Sequence, residues 1–144
     1  MDHAVREAIH RAVQKEPFAR ALHMKLVTME RGYSAVEMTY DPAAMDNIYA
    51  RAHGGAIFAL IDEAFETAGQ THGTIAVALN VNVTYVTSPQ SGARLRAEAR
   101  EVSRTKRTAS YDIKVTDQDG QIIATCQALA FCTDKPIPFL EKSD

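Results

Sequence analysis

One stretch of apolar residues with helical spacing constrains the fold of this chain more than any other feature. Between residues 57 and 68 the apolar side chains recur three or four positions apart: Ile57, Leu60, Ile61, Ala64, Phe65 and Ala68. That period places them on one face of a long helix, which is predicted to end near residues 69–73. The rest of the chain must therefore supply a surface that covers this face.

The segments on both sides of this helix alternate apolar and polar residues with the period of a β-strand. The predicted strands are 22–30 and 33–40 before the helix, and 77–85, 93–103, 107–116 and 121–132 after it. Tight turns separate the later strands, so we expect residues 77–132 to form an antiparallel meander. Because no βαβ alternation occurs, the chain is predicted to be α+β, with one long helix on a five- or six-stranded antiparallel sheet.

Length and composition indicate a single domain over residues 1–144, of which 46% are hydrophobic and 24% charged. We predict a short amphipathic N-terminal helix within residues 1–17, a core over 18–132 and a C-terminal tail over 133–144. One helix can cover only one face of a sheet, which leaves the sheet edges and the other face open. We therefore expect a homo-oligomer.

Charge and hydropathy exclude two classes of partner. The net charge of −2 and a sequence pI near 6.2 give no basic field for nucleic acid. The longest uninterrupted apolar run, residues 56–61, is far shorter than the roughly 20 residues that cross a bilayer. The opening segment also lacks the apolar stretch of a secretory signal. We expect a cytoplasmic protein with no nucleic-acid or membrane partner.

Cysteine and histidine positions show no pattern of metal ligands or nucleophiles. Cys126 and Cys132 are six residues apart in one predicted strand, roughly 20 Å, so they cannot pair within the chain. No histidine has metal-ligand spacing, and we predict no metal. The Gly-x-Ser-x-Gly motif of serine-triad hydrolases is also missing from the sequence.

The sequence around the start of the long helix contains the residues best suited to chemistry. Asn47 lies in a loop, His53-Gly54-Gly55 leads into the helix, and Asp62 lies beside its apolar stripe. Two glycines at a helix start let a ligand approach free backbone N–H groups, where the helix dipole favours negative charge. They could equally form an ordinary tight helix entry. Asp62 is either a general base or nucleophile, or a boundary residue that binds a neighbouring strand.

The spacing between these groups has a geometric consequence. Asp62 follows Gly54 and Gly55 by seven or eight residues, which is roughly 10 Å along a helix. One carbonyl group cannot easily contact both ends. Two copies of the helix running antiparallel about a two-fold axis would bring Gly54 of one beside Asp62 of the other, so that subunits share the site.

The segment from His53 to Ala68, with Asn47 six residues upstream, resembles the hotdog-fold acyl-CoA thioesterases of the phenylacetate-degradation (PaaI-like) type. The resemblance extends from about Phe18 to Phe131. It implies a long helix wrapped by an antiparallel sheet, dimers with a continuous sheet that commonly pair into tetramers, and two active sites per dimer. The implied activity is hydrolysis of an acyl- or aryl-acyl-CoA, with no cofactor besides the coenzyme A of the substrate.

The resemblance also implies roles for individual residues. Asp62 would be the catalytic carboxylate, and the N–H of Gly54, together with that of Gly55, would polarise the thioester carbonyl. Asn47 would position water or the thioester, and His53 would hold the loop through hydrogen bonds. Related enzymes often carry Ser or Thr on the strand after the helix to orient water, and Asn80 takes that position here.

Other residues are candidates for binding the two halves of the substrate. Basic residues concentrated at 94–107, and one before the helix, are either a solvated face or a site for the coenzyme A phosphates; the candidates are Arg51, Arg104, Lys106 and Arg107. Phe58 and Phe65 either line an acyl pocket or pack in the core. Two other functions stay open: a hotdog hydratase or dehydratase, and a non-catalytic acyl-CoA-binding protein.

Overall fold

The computed structural model describes residues 1–140. The helices among them are α1 His3–Lys15, α2 Pro17–Ala21, α3 Pro42–Met45 and α4 Gly54–Gln70. The strands are β1 Lys25–Glu30, β2 Tyr33–Thr39, β3 Thr74–Tyr85, β4 Arg94–Arg104, β5 Thr108–Thr116 and β6 Ile122–Pro136. Helix α4 is the one predicted from the apolar period, and it ends where Thr71 caps it by donating its hydroxyl to Ala68 O (2.6 Å).

The six strands form one antiparallel sheet in the order β1-β2-β4-β5-β6-β3. Helix α4 packs along the sheet, and its buried apolar side chains form the main core with residues of β2, β4, β5 and β6. The predicted α+β class and the hotdog architecture, with a short N-terminal helix, are therefore confirmed.

The position of β3 differs from the expected meander. Strands β4, β5 and β6 do follow one another, but β3 lies at the sheet edge beside β6 rather than beside β4. The connection after β3 brings the chain back to the end of β2, where Tyr40 N donates to Ala93 O (2.8 Å) and Gly92 N donates to Tyr40 O (3.0 Å). This pairing starts β4 against β2, so the meander prediction is correct only for the last three strands.

The N-terminal helix lies within the predicted segment and is followed by a second helix that was not predicted. Asp2 caps α1 by accepting Ala4 N (2.9 Å), and α1 ends at Lys15. A second short helix, α2, then begins at Pro17, because the proline ring cannot continue a helix but suits the first position of a new one. The apolar face of α1 packs against Met29 and Ile137 in a second, smaller core.

The C-terminal region is more ordered than a tail. Strand β6 continues to Pro136, and Ile137 is buried with its N–H donating to Gly73 O (3.1 Å). Residues 141–144 of the predicted tail lie outside the described residues. Within the described chain, no helix has both the length and the apolarity needed to cross a membrane.

Candidate active site

The start of α4 is organised by His53, the residue that caps it. The ring Nδ1 of His53 accepts a hydrogen bond from Gly55 N (2.9 Å), while the His53 N–H donates to Met45 O (2.7 Å). The side chain therefore works here as an N-cap acceptor. It also occupies the Gly55 N–H, one of the two groups predicted to polarise a carbonyl.

Gly54 presents the other N–H group of the predicted pair. Among residues 1–140 no acceptor takes this N–H, so it is available to a ligand at the positive end of the helix. Tyr85, at the end of β3, donates its hydroxyl to Gly54 O (3.0 Å). A Cβ at position 54 would lie 3.1 Å from Tyr85 Cζ, so a side chain there requires the helix start and the ring to move apart by a few tenths of an ångström.

Asn47 organises the loop that precedes the helix. Its Oδ1 accepts from Tyr49 N (2.8 Å) and from Arg51 N (3.3 Å), and its own N–H donates to Arg51 O (2.7 Å). Ala50 adopts a positive φ of 54° to close this loop. Asn47 thus holds the loop, and Ile48 and Tyr49 stand exposed at its tip.

Asp62 lies in the second turn after the glycines and is half-buried. It lines a cavity of about 230 Å³ between α4 and the β3–β6 edge, with the neighbours Phe65, Gly69, Ala76, Val77, Ala78 and Ala130. Burial raises the pKa of this carboxyl above its ordinary value. Its side chain makes no hydrogen bond to another residue of the described chain, which leaves both oxygens available for a ligand.

Two polar residues missed in the sequence analysis line the same cavity. Glu66 and Gln70 follow Asp62 by one and two turns, so the i, i+4, i+8 spacing was the signal that could have revealed them. Gln70 is bound to the backbone of Ala76, donating to its oxygen (2.8 Å) and accepting from its nitrogen (3.3 Å). Partial desolvation, then the charges of Glu16 and Asp62, raise the pKa of Glu66.

Tyr85 also escaped prediction. It lies 31 residues from Gly54, and only the folded sheet brings its hydroxyl to the helix start. No local pattern in the sequence could have indicated this contact.

Three further candidates occupy different environments. Asn80 is exposed on β3 and is not among the residues that line the Asp62 cavity. Phe65 is buried, with its ring edge-on to Tyr111 at 5.1 Å between centroids, and it also lines the cavity. Phe58 is 36% exposed on the surface of α4 and does not line the cavity.

The basic candidates separate into occupied and accessible groups. Arg104 donates to Glu101 Oε2 (3.2 Å), an oxygen that also binds His72 Nε2 (2.9 Å) and the Tyr111 hydroxyl (2.8 Å). Lys106 and Arg107 are exposed in the β4–β5 turn. They line a surface cavity of about 370 Å³ together with Phe131, Cys132, Thr133, Asp134 and Lys135. Arg51 is exposed in the loop before α4.

The chain is similar to known proteins in both sequence and structure. The family model described as "Thioesterase superfamily" matches residues 49–124. The chain is 31% identical to the acyl-coenzyme A thioesterase PaaI of Escherichia coli K12, over 86% of this chain and 88% of that protein. The structure of the E. coli PaaI protein from the phenylacetic acid degradation operon has a TM-score of 0.88 at 27% identity, covering 94% of this chain and 97% of that chain. A Streptococcus mutans protein solved with bound acetyl-CoA has a TM-score of 0.74 at 30% identity, covering 79% of this chain and 91% of that chain.

Proposed function

The chain belongs to the thioesterase superfamily and has the hotdog fold, and from that premise we propose that it hydrolyses an acyl- or aryl-acyl-CoA thioester to the free acid and coenzyme A. The name of the E. coli relative and the acetyl-CoA bound to the S. mutans protein support this substrate class. No cofactor besides the coenzyme A of the substrate enters the proposal.

One observation carries the assignment. Asp62 is a half-buried carboxylate that lines a cavity and is bound to no other described residue, although partial burial of an unpartnered carboxylate is unfavourable. A group kept in this state is suited to act as a base or a nucleophile. Because burial raises its pKa, it is a stronger base than an exposed aspartate.

The active site is completed by a second copy of the chain. Gly54 and Asp62 are eight residues apart on α4, so roughly 12 Å separates them along the helix axis. Strand β3 has an open edge with two large apolar side chains exposed, Val77 at 49% and Leu79 at 58%. Pairing of two β3 edges would cover these residues and place two α4 helices antiparallel, with Gly54 of one beside Asp62 of the other.

The reaction begins when the thioester carbonyl oxygen accepts a hydrogen bond from the free N–H of Gly54. Negative charge then develops on this oxygen, where the helix dipole stabilises it. Either Asp62 takes a proton from a water molecule that attacks the carbonyl carbon, or the carboxylate attacks directly and water later hydrolyses the anhydride. In both routes the carbon–sulfur bond breaks, the thiolate leaves and takes a proton, and the acid is released.

Asn47 and His53 support this site without supplying the proton transfer. His53 fixes the first turn of α4 through Gly55, and Asn47 holds the loop beside it. The Nδ2 group of Asn47 makes no hydrogen bond in the described chain, so it can donate to the water or the thioester.

The substrate halves bind in different places. The acyl group occupies the cavity lined by Asp62 and Phe65, and the phosphates of coenzyme A lie against the exposed Lys106 and Arg107. Arg104, held by Glu101, contributes to the charge of this region rather than as a direct ligand. The enzyme works as a cytoplasmic homodimer or homotetramer in this proposal.

The test is release of free thiol from short, medium, long and aryl-acyl-CoAs by the wild type and by Asp62→Asn. We expect hydrolysis by the wild type and a loss of several orders of magnitude in kcat for the variant, with an unchanged oligomeric state. Asp119→Asn, in the exposed β5–β6 turn, is the matched control and retains activity. Wild-type activity in Asp62→Asn would refute its role, and acyl-CoA binding without thiol release would refute the proposed hydrolysis.

A further inference from the structure

A cluster of three glutamates lies between the N-terminal helices and α4. Glu16 lies between α1 and α2, as the C-cap of the first and the N-cap of the second. Glu63 and Glu66 are three residues apart on α4. Each offers a carboxylate oxygen, and these oxygens all lie within 4.8 Å of one another. Glu16 makes no side-chain capping bond to α2, and its carboxylate instead lies close enough to α4 to interact with Glu63.

Glu63 is an unusual member of this cluster because it is only 3% exposed. Its Oε1 is the one buried side-chain oxygen or nitrogen of the described residues that has no hydrogen-bond partner. Neighbouring buried hydroxyls are all satisfied: Thr67 donates to Glu63 O (2.8 Å) and Ser34 donates to Ala64 O (2.7 Å). The region therefore satisfies its polar groups except at this carboxylate, which points to a ligand.

The charges nearest Glu63 make its burial harder to explain without such a ligand. Burial raises the pKa of Glu63. The charges of Glu16 and Glu66, a side-chain hydrogen bond with Glu16 and the charge of Asp62 raise it further. Three carboxylates brought this close repel one another unless a proton or a cation lies between them.

We propose that Glu16, Glu63 and Glu66 bind a hard divalent cation of the size of Ca²⁺. Carboxylate oxygens are the ligands that such ions prefer. Two ligands of one Ca²⁺ ion are at most about 4.8 Å apart at a Ca²⁺–oxygen distance of about 2.4 Å. The three oxygens lie within that limit, so they are close enough to share one ion. Mg²⁺ demands near-ideal octahedral geometry and gives up its water reluctantly, whereas Ca²⁺ accepts carboxylate oxygens in a more flexible shell, which favours the larger ion.

The surroundings provide access and the remaining ligands. A groove of about 370 Å³ between α1 and α4 is lined by Glu16 and Glu66, so water can enter and fill the other coordination positions. Lys15 lines the same groove and competes for the negative charge. Glu16 is far in sequence from Glu63 and Glu66, so no local pattern unites the three ligands, and histidine spacing alone predicted no metal.

A bound ion would connect the α1–α2 junction to the helix that carries Asp62. The cation is structural in this proposal and takes no part in thioester hydrolysis. The site is therefore testable whether or not the chain hydrolyses acyl-CoA.

The experiment uses the full chain, freed of metal with EDTA and dialysed, titrated with CaCl₂ and with MgCl₂ by calorimetry and thermal denaturation. We expect one Ca²⁺ per chain and a saturable rise in Tm of roughly 5–10 °C at 100 times the dissociation constant, with weaker binding of Mg²⁺. Glu63→Gln should weaken Ca²⁺ binding at least tenfold, whereas Glu7→Gln, an exposed glutamate of α1, should leave it unchanged.

Glu66→Gln provides a second test, because Glu66 is exposed and its replacement does not disturb the core. It should also weaken Ca²⁺ binding, which keeps the proposal testable if Glu63→Gln fails to fold. The weakest Ca²⁺ sites of proteins have dissociation constants of about 1 mM. The proposal is overturned if the wild type shows no saturable heat or Tm change with Ca²⁺ added to about ten times that concentration. It is also overturned if the response persists in both glutamate variants. A shared proton in place of a cation would give the first of these results.

Discussion

The contact between Gly54 and Tyr85 yields a prediction about catalysis. A Cβ added at position 54 would lie 3.1 Å from Tyr85 Cζ and 3.2 Å from its hydroxyl oxygen. Ordinary contacts of non-bonded carbon atoms begin at about 3.4–3.5 Å, so Gly54→Ala must separate the helix start from the ring by a few tenths of an ångström. This displacement moves the Gly54 N–H, which we propose polarises the carbonyl.

The expected effect of Gly54→Ala is on the rate rather than on stability. A misplacement of about 1 Å can lower a rate about 100-fold, so for a few tenths of an ångström we expect kcat to fall by roughly 3- to 10-fold. Alanine favours helix by up to about 1 kcal/mol over glycine, which offsets the strain, and Tm should change by only about 2–4 °C.

The assay is thiol release by four proteins: wild type, Gly54→Ala, Tyr85→Ala and the double variant. Removing the ring makes room for the added methyl group, so the double variant should match Tyr85→Ala in kcat within about twofold. Wild-type kcat in Gly54→Ala would refute the reasoning, and so would a Gly54→Ala defect that is as large without the Tyr85 ring as with it.

Four further predictions follow from other parts of the structure. Leu79→Glu, on the open β3 edge, should convert the oligomer to monomers in sedimentation and abolish thiol release together; an active monomer would contradict the shared site. His53→Ala removes the acceptor for Gly55 N and should lower the unfolding free energy by about 1 kcal/mol, measured by urea denaturation, whereas His53→Asn should retain most of it. Burial lowers the pKa of His72 against the opposing effect of Glu101, so the unfolded chain binds the proton more readily. The His72 contribution to stability is therefore complete above the unfolded pKa of about 6.5 and lost as pH falls below it. In His72→Gln the urea midpoint should change less between about pH 5 and 8 than it does in the wild type. Lys106→Ala with Arg107→Ala should raise KM for acyl-CoA with little change in kcat, and an unchanged KM would place the phosphates elsewhere.

The long helix was predictable because its signal is local. The period of Ile57, Leu60 and Ala64 places these residues on one face whatever the rest of the chain does, and all three are buried in the structure. The glycine pair and Asp62 could also be located, since their positions relative to that face follow from helix geometry. Strand alternation predicted the six strands for the same reason.

Contacts between distant parts of the chain were not predictable. The pairing of β3 with β6, the Tyr85 bond to Gly54 and the approach of Glu16 to Glu63 each join residues more than thirty positions apart. Arg104 shows the same limit at short range. The sequence pattern groups Arg104 with the basic residues that could bind phosphate. In the folded sheet Glu101 lies beside it and forms an ion pair with its guanidinium.

In the proposed shared site, the distance between Gly54 and Asp62 along one rigid helix determines how the enzyme responds to dilution. If each active site takes Gly54 from one chain and Asp62 from the other, an isolated chain is inactive. Specific activity then falls once the protein is diluted below the dissociation constant of the oligomer. Two inactive variants, one altered at each end of the helix, would regain activity on mixing, because a hybrid pair contains one intact centre and one that carries both defects. Total protein concentration thus becomes a means of regulation that requires no effector molecule.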